Sequence, residues 1–296
     1  MSRQIDIACE IWSGAGNDFV LLEAAALPPR TARAALARHA CRGACRRQLD
    51  GLILVAGRRG ELWNRDGSHP AFCGNGARCV AARLMQAEKR PRVRLRFGRV
   101  ALTAWRVGRQ IAIRVTPPRW RRRRLDRTAL AAALGRGASQ LVQAGWVEAG
   151  VPHLCLRLTR GRGPAALRPE QQDRLHAIGA RLRRARAFGP GGTNVTFIWE
   201  PAAGQRAYAI RTYERGVEGL TRACGSGALA AGRTLIPRVG ARRVVLRVAS
   251  GARLTVERTE AGWVLRGPAR RIGRGRLVLT APAEVRRAAR RRRPGG

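Results

Sequence analysis

Short apolar runs rich in β-branched residues recur along the chain, bounded by glycine, proline or charged residues. Runs of this length and composition favour β-strands over helices. They predict strands at residues 52–55, 93–97, 111–115, 195–199, 208–213, 244–248 and 263–266. Longer segments predict outer helices at residues 31–41, 125–134 and 169–182. A proline begins the last of these segments, as it often begins helices.

One glycine-framed motif occurs twice, about half a chain apart. The segment at residues 72–77 reads FCGNGA, and the segment at residues 223–228 reads ACGSGA. Each copy runs into an alanine-rich stretch whose helix propensity and small side chains predict a buried central helix. The duplication predicts two similar halves, each carrying one cysteine of the motif.

These elements predict an α/β (α+β) protein with two structurally similar domains. At 296 residues the chain exceeds a typical single domain, and the paired prolines at residues 117–118 would interrupt both helix and strand. We expect the first domain at residues 1–117 plus 268–285, with a closing strand near residues 277–279 returning to it. The second domain would span residues 118–267, and residues 286–296 would form a disordered basic tail.

The position of the two motif cysteines suggests acid–base chemistry. Cys73 and Cys224 precede predicted helices, where unpaired N–H groups and the helix dipole favour an anion, so each thiol is expected to have a lowered pKa. The flanking glycines let backbone amides approach a substrate carboxylate. Two facing cysteines could remove and return a proton on opposite sides of an α-carbon. A buried, inert thiol is the alternative for one motif alone, and the duplication argues against it.

The charge balance is the most unusual feature of the composition. The chain has 59 lysine and arginine residues against 18 aspartate and glutamate residues, a formal net charge of +41. Such an excess raises the hypothesis of a polyanion partner. The arginines are scattered, with clusters at residues 121–124, 181–186 and 286–293, which is typical of solvated faces and a tail. We therefore expect no nucleic-acid partner, and the sequence leaves homodimer formation open.

The chain begins without a signal-like segment, and no apolar stretch approaches the ~20 residues that span a membrane. We expect a cytoplasmic protein with no membrane partner and with reduced thiols, because seven cysteines do not close into pairs. Pyridoxal phosphate would need a lysine, and Lys89 alone is available, in a predicted exposed loop. Cys41 and Cys45 lack a second ligand pair with metal-site spacing. We expect neither cofactor nor metal.

Six motifs in a fixed order resemble the diaminopimelate epimerase family. They are GNDF at residues 16–19, NRDGS at 64–68, CGNGARC at 73–79, TNV at 193–195, YERG at 213–216 and ACGSGA at 223–228. The resemblance implies two domains, each a curled, mostly antiparallel sheet around a central helix, with the active site between them. It implies conversion of LL-2,6-diaminopimelate to the meso isomer, for lysine and peptidoglycan precursors, without pyridoxal phosphate or metal.

The resemblance also implies roles for individual residues. Cys73 and Cys224 would be the acid–base pair, and His153 would lie near the site. The small-molecule amino-acid substrate would be held by Asn17, Asn64, Gly74, Asn75, Asn194, Glu214, Arg215, Gly225 and Ser226.

The sequence departs from the family pattern at two positions that bear on the substrate. Val151 stands where the family's Gly-Asn-Pro-His motif has asparagine, and Leu220 stands where the family has glutamate. Loss of an amide near the far carboxylate would weaken binding by ~1–3 kcal/mol. These two positions raise the alternative of a racemase of another amino acid on the same scaffold. The net charge of +41 raises a second alternative, an inactive, polyanion-binding homologue.

Overall fold

The computed structural model of the protein describes residues 4–29, 31–43, 49–70, 72–117, 119–121, 125, 127–135, 140–159, 167–201 and 203–280. The predicted tail at 286–296, most of the arginine cluster at 121–124, and Cys45 lie outside these residues.

Within the described residues the chain forms seventeen β-strands and five α-helices. The helices are α1 (Arg33–Gly43), α2 (Gly74–Ala87), α3 (Arg127–Leu134), α4 (Pro169–Arg183) and α5 (Gly225–Val239). The strands are β1 (Gln4–Gly14), β2 (Asn17–Glu23), β3 (Gly51–Ala56), β4 (Arg59–Asn64), β5 (Arg92–Phe97), β6 (Val100–Val107), β7 (Gln110–Val115), β8 (Arg119–Arg121), β9 (Leu141–Glu148), β10 (Pro152–Leu158), β11 (Asn194–Trp199), β12 (Ala207–Glu214), β13 (Gly219–Thr221), β14 (Arg243–Arg247), β15 (Arg253–Thr259), β16 (Gly262–Pro268) and β17 (Arg270–Thr280).

The strand pairing repeats from one half of the chain to the other. In the first half the strands pair in the order β17, β1, β2, β3, β4, β5, β6 and β7, with parallel pairs only at β2–β3 and β4–β5. In the second half the order is β8, β9, β10, β11, β12, β14, β15 and β16, with parallel pairs only at β10–β11 and β12–β14. The sequence of parallel and antiparallel pairs is therefore identical. An antiparallel pair between β7 and β16 joins the halves.

A central helix fills each half. Ala77, Ala81 and Ala82 of α2 and the three alanines of α5 are buried, and both helices contribute to one continuous apolar core. Small residues allow this close packing: a Cβ atom on Gly232 of α5 would lie only 2.4 Å from Val256 Cγ1 on β15. The predicted α+β class, with a curled, mostly antiparallel sheet around each central helix, is confirmed.

The apolar runs that predicted strands lie in strands, except that Val248 follows the end of β14. The three predicted outer helices correspond to α1, α3 and α4. The predicted closing strand forms part of β17, where Leu277 pairs with Ile7 of β1. The predicted boundaries of the two domains stay a prediction.

Among the described residues, no helix is both long enough and apolar enough to cross a membrane.

Candidate active site

The two motif cysteines occupy the same position at the starts of the two central helices. Each is the N-cap residue with extended backbone, at φ −139° for Cys73 and φ −130° for Cys224. The Gly76 N–H donates to Cys73 Sγ at 3.5 Å, and the Gly227 N–H donates to Cys224 Sγ at 3.2 Å. Both sulfurs therefore lie against helix N-termini, where serine or aspartate oxygens are usual.

The starts of α2 and α5 face each other at close range. A Cβ atom on Gly225 would lie 3.3 Å from the Gly74 Cα atom, so glycine at both positions lets the two helix ends approach. The Asn75 side-chain amide donates across the gap to the Ala223 carbonyl at 3.4 Å. The two half-chains thus bring their cysteine motifs to one place.

A cavity of about 650 Å³ opens between the halves at this point. It is lined by both catalytic candidates and by all nine predicted substrate-binding residues, namely Asn17, Asn64, Cys73, Gly74, Asn75, Asn194, Glu214, Arg215, Cys224, Gly225 and Ser226. Residues to which the sequence assigned no role also line it, among them Asp50, Arg65, Asp66, His69 and Val217. Arg65 and Asp66 lie within the NRDGS motif, but their types alone gave no reason to place them at the site.

The expectation of lowered thiol pKa values is wrong for this site. Burial raises the pKa of Cys73 to about 11, and the Glu214 carboxylate adds to the rise. Burial and the same carboxylate raise the pKa of Cys224 well above its usual value. The helix N–H groups oppose the rise, as predicted, but desolvation outweighs them. Both thiols are therefore protonated in the empty cavity near neutral pH.

Glu214 and Arg215 lie at the end of β12. Glu214 accepts a hydrogen bond from the Thr221 hydroxyl, and burial raises the pKa of its carboxyl group. The Arg215 N–H donates to Asn194 Oδ1 at 2.8 Å, and Asn194 Nδ2 donates to the Pro152 carbonyl at 2.9 Å. Asn194 thus ties three chain segments together below the cavity. No carboxylate of the described residues lies within salt-bridge distance of the Arg215 guanidinium. The guanidinium can therefore bind an anionic group of a ligand.

His153 lies behind the cavity wall rather than in it. The ring is fully buried, with Nδ1 at 2.9 Å from Thr196 Oγ1 and Nε2 at 3.0 Å from Ser226 Oγ. Burial lowers the pKa of His153 to about 3, so the imidazole is neutral. It positions the Ser226 hydroxyl, which lies 3.4 Å from Cys224 Sγ.

The two positions that depart from the family pattern differ in their placement. Val151 lines the cavity. Leu220, in contrast, lies on β13, pairs with Tyr213 on β12 and packs against the apolar cluster that includes Ile178 and Leu182 of α4. Of the two, only Val151 can contact a substrate directly.

Solved structures identify the fold class. The chain is similar to a PhzF-family phenazine biosynthesis protein from Bacillus anthracis, with a TM-score of 0.70 and 10% identity over 93% of this chain and 99% of that one. It is also similar to a hydroxyproline epimerase from Agrobacterium vitis, with a TM-score of 0.64 and 16% identity over 95% of each chain. The protein has the fold that these two share.

Sequence relatives identify the family within that fold. The diaminopimelate epimerase family model matches residues 146–272. The chain is 30% identical over 286 residues to diaminopimelate epimerase of Pseudomonas syringae pv. tomato, covering 90% of this chain and 97% of that one. It is 34% identical over 276 residues to the Xanthomonas campestris pv. campestris enzyme, covering 86% and 91%. This chain belongs to the diaminopimelate epimerase family.

Proposed function

We propose that the protein epimerises LL-2,6-diaminopimelate to meso-diaminopimelate by a two-base mechanism with Cys73 and Cys224 as acid and base. The observation that carries the proposal is the convergence of two equivalent cysteine N-caps on one cavity. Family membership and the identity of the relatives support the same substrate.

In this mechanism one cysteine acts as a thiolate and the other as a thiol. The thiolate takes the α-proton on one face of the substrate and becomes a thiol, while the second thiol gives its proton to the opposite face and becomes a thiolate. Backbone N–H groups at the starts of α2 and α5 stabilise the negative charge that develops on the carboxylate. The pair ends with its roles exchanged, ready for the reverse reaction or for proton exchange with solvent.

The raised thiol pKa values fit a base that forms only with substrate present. A bound α-ammonium group adds a positive charge beside the sulfurs, which favours ionisation of one thiol, and a closed site shields the thiolate from water. Near neutral pH and without substrate, both cysteines are therefore mainly protonated thiols.

The chain offers no lysine for a Schiff base at this site. Lys89 is exposed just beyond the C-terminal end of α2, and the cavity lies at the N-terminal end, about 20 Å away at the helical rise per residue. This supports a mechanism independent of pyridoxal phosphate.

The test is solvent deuterium incorporation at the α-carbon of LL-diaminopimelate, followed by NMR under reducing conditions. We expect exchange together with formation of the meso isomer, and near-complete loss of both in Cys73→Ala and in Cys224→Ala. Formation of the meso isomer that survives either substitution would refute the two-base mechanism, because inversion needs a proton donor on the face opposite the base.

A second candidate function is racemisation of another amino acid, and the position of Val151 in the cavity wall favours it. An apolar side chain there suits a substrate without a second charged centre. Parallel exchange assays with a panel of single-centre amino acids decide between the two. Turnover of one of these with inert diaminopimelate would select the second candidate.

A further inference from the structure

A buried arginine lies directly behind the first cysteine motif. Arg78, on the first turns of α2, is 0% exposed, and a Cβ atom on Gly267 would lie 3.3 Å from its Cζ atom. No carboxylate of the described residues pairs with it. Its Nη2 donates to Asn75 Oδ1 at 2.7 Å, while Nε and Nη1 have no partner there. Burying such a cation is costly, so its presence calls for a reason other than packing.

The second half of the molecule shows that packing does not require an arginine. Leu229 stands at the same distance after Cys224 as Arg78 stands after Cys73, and it is 2% exposed in the same apolar core. An apolar side chain thus fills the equivalent position on α5. The charged residue is specific to the motif that contains Asn75.

Arg78 begins a row of hydrogen bonds that ends in the cavity. Asn75 Oδ1 accepts from Arg78, Asn75 Nδ2 donates to Asn17 Oδ1 at 2.5 Å, and the Asn17 side chain bonds to Asp50. Asp50 also accepts from the Asp18 N–H at 2.8 Å. Because arginine can only donate and a carboxylate can only accept, the two ends fix the orientation of both amides.

We propose that Arg78 is a positioning residue that, through this row of hydrogen bonds, orients the side-chain amides of Asn75 and Asn17 and supplies the positive charge behind Cys73. The part that concerns substrate contacts rests on the proposed function. The part that concerns Cys73 does not, because it is a property of the empty protein.

The charges around the two cysteines differ as a result. Cys73 faces the Gly76 and Asn75 N–H groups and Arg78, which stabilise a thiolate, and Glu214, which opposes it. In the second motif Ser226 stands at the position of Asn75, and its partner is His153, which is uncharged. Removal of the arginine charge should therefore affect Cys73 and leave Cys224 largely unchanged.

The experiment measures alkylation of each cysteine by iodoacetamide as a function of pH in the full-length protein, with mass spectrometry of the two peptides. Arg78→Leu introduces the residue that stands at the equivalent position of the second motif. Arg78→Lys keeps the positive charge, and Leu229→Met is the matched substitution in the core of the second half. We expect Arg78→Leu to slow alkylation of Cys73 about 10-fold at mildly alkaline pH, the effect of one pKa unit. Cys224 should be unaffected, and Arg78→Lys should stay close to wild type.

A second measurement follows substrate turnover. If diaminopimelate is turned over, Arg78→Leu should raise KM, because misoriented side-chain amides of Asn75 and Asn17 bind the substrate less well. Arg78→Lys should have a KM close to that of wild type. Equal Cys73 alkylation profiles in wild type and Arg78→Leu, or equal slowing of both cysteines, would overturn the proposal. Arg78→Met replaces Arg78→Leu if the latter does not fold. Because alkylation needs no substrate, absence of turnover would count against the proposed function alone.

Discussion

Gly227 offers a sharp test of how tightly the second cysteine is held. A Cβ atom there would lie 2.5 Å from Thr212 Oγ1, 3.2 Å from Thr196 Oγ1 and 3.3 Å from Cys224 Cβ. Both threonines lie in strands and are fully buried or nearly so, so neither side chain can move aside easily. Ordinary contact begins near 3.4 Å, and the start of α5 would have to shift by roughly 0.9 Å.

Two effects of Gly227→Ala on stability oppose each other. Alanine in a helix is favoured over glycine by about 1 kcal/mol, but overpacking a buried site costs about 1–3 kcal/mol. We expect a net loss in the free energy of unfolding. The effect on turnover should be larger, since a misplacement of about 1 Å at a reacting group can cost roughly 100-fold in rate. Cys224 is the group displaced.

The assay combines chemical denaturation with deuterium exchange at the α-carbon. Gly232→Ala is a control with a comparable clash, against Val256 at 2.4 Å, roughly one and a half turns further along α5. It should destabilise the protein while retaining more activity. Gly219→Ala, whose nearest contact would be at 3.9 Å, should change little. Wild-type stability and turnover in Gly227→Ala would refute the packing argument.

Three further predictions concern charge and the far end of the cavity. Glu214→Gln removes the carboxylate that raises both thiol pKa values, so both cysteines should be alkylated faster at a given pH; an unchanged rate would contradict this. Because the folded-state pKa of Cys73 is raised from 9.0 to about 11, its contribution to stability is complete below pH 9 and is lost as pH rises toward 11. The free energy of unfolding should fall over that window more steeply in wild type than in Cys73→Ala, as denaturant titrations would show. Val151→Asn adds an amide to the cavity wall and should lower KM for diaminopimelate about 10-fold, the equivalent of one hydrogen bond to a charged group; a higher KM would favour the racemase alternative.

Strands with a continuous apolar run or a regular alternation could be predicted from the sequence. β3 and β11 are buried along nearly their whole length, so their apolar runs are continuous, and β5 alternates exposed arginines with buried apolar residues. β6 buries only Leu102 and Ala104, and threonine, arginine and glutamate residues interrupt the apolar positions of β15, so neither strand gave a clear pattern. β8 and β13 have three residues each, too few for a periodic signal.

Residues of the candidate site could be predicted where the sequence signal lies within a few neighbouring residues. Cys73 and Cys224 carry their glycines and helix starts beside them, so the repeat alone located them. Asp50 and Arg78 are linked only through the Asn17–Asn75 hydrogen bond, which joins residues 58 positions apart. The prediction of lowered thiol pKa values was wrong for a related reason. The helix dipole can be read from neighbouring residues, but burial depends on the other half of the molecule.

The two halves share a topology but surround their cysteines with different charges, which predicts an order of reactivity. Cys73 is partly exposed and has Arg78 behind it, while Cys224 is 6% exposed and bonds to the Glu214 side chain. Both differences favour ionisation of Cys73 before Cys224. A substoichiometric amount of iodoacetamide should therefore modify Cys73 first, as peptide mass spectrometry would reveal. Preferential labelling of Cys224 would show that the fixed charges around the two motifs do not control which thiol ionises first.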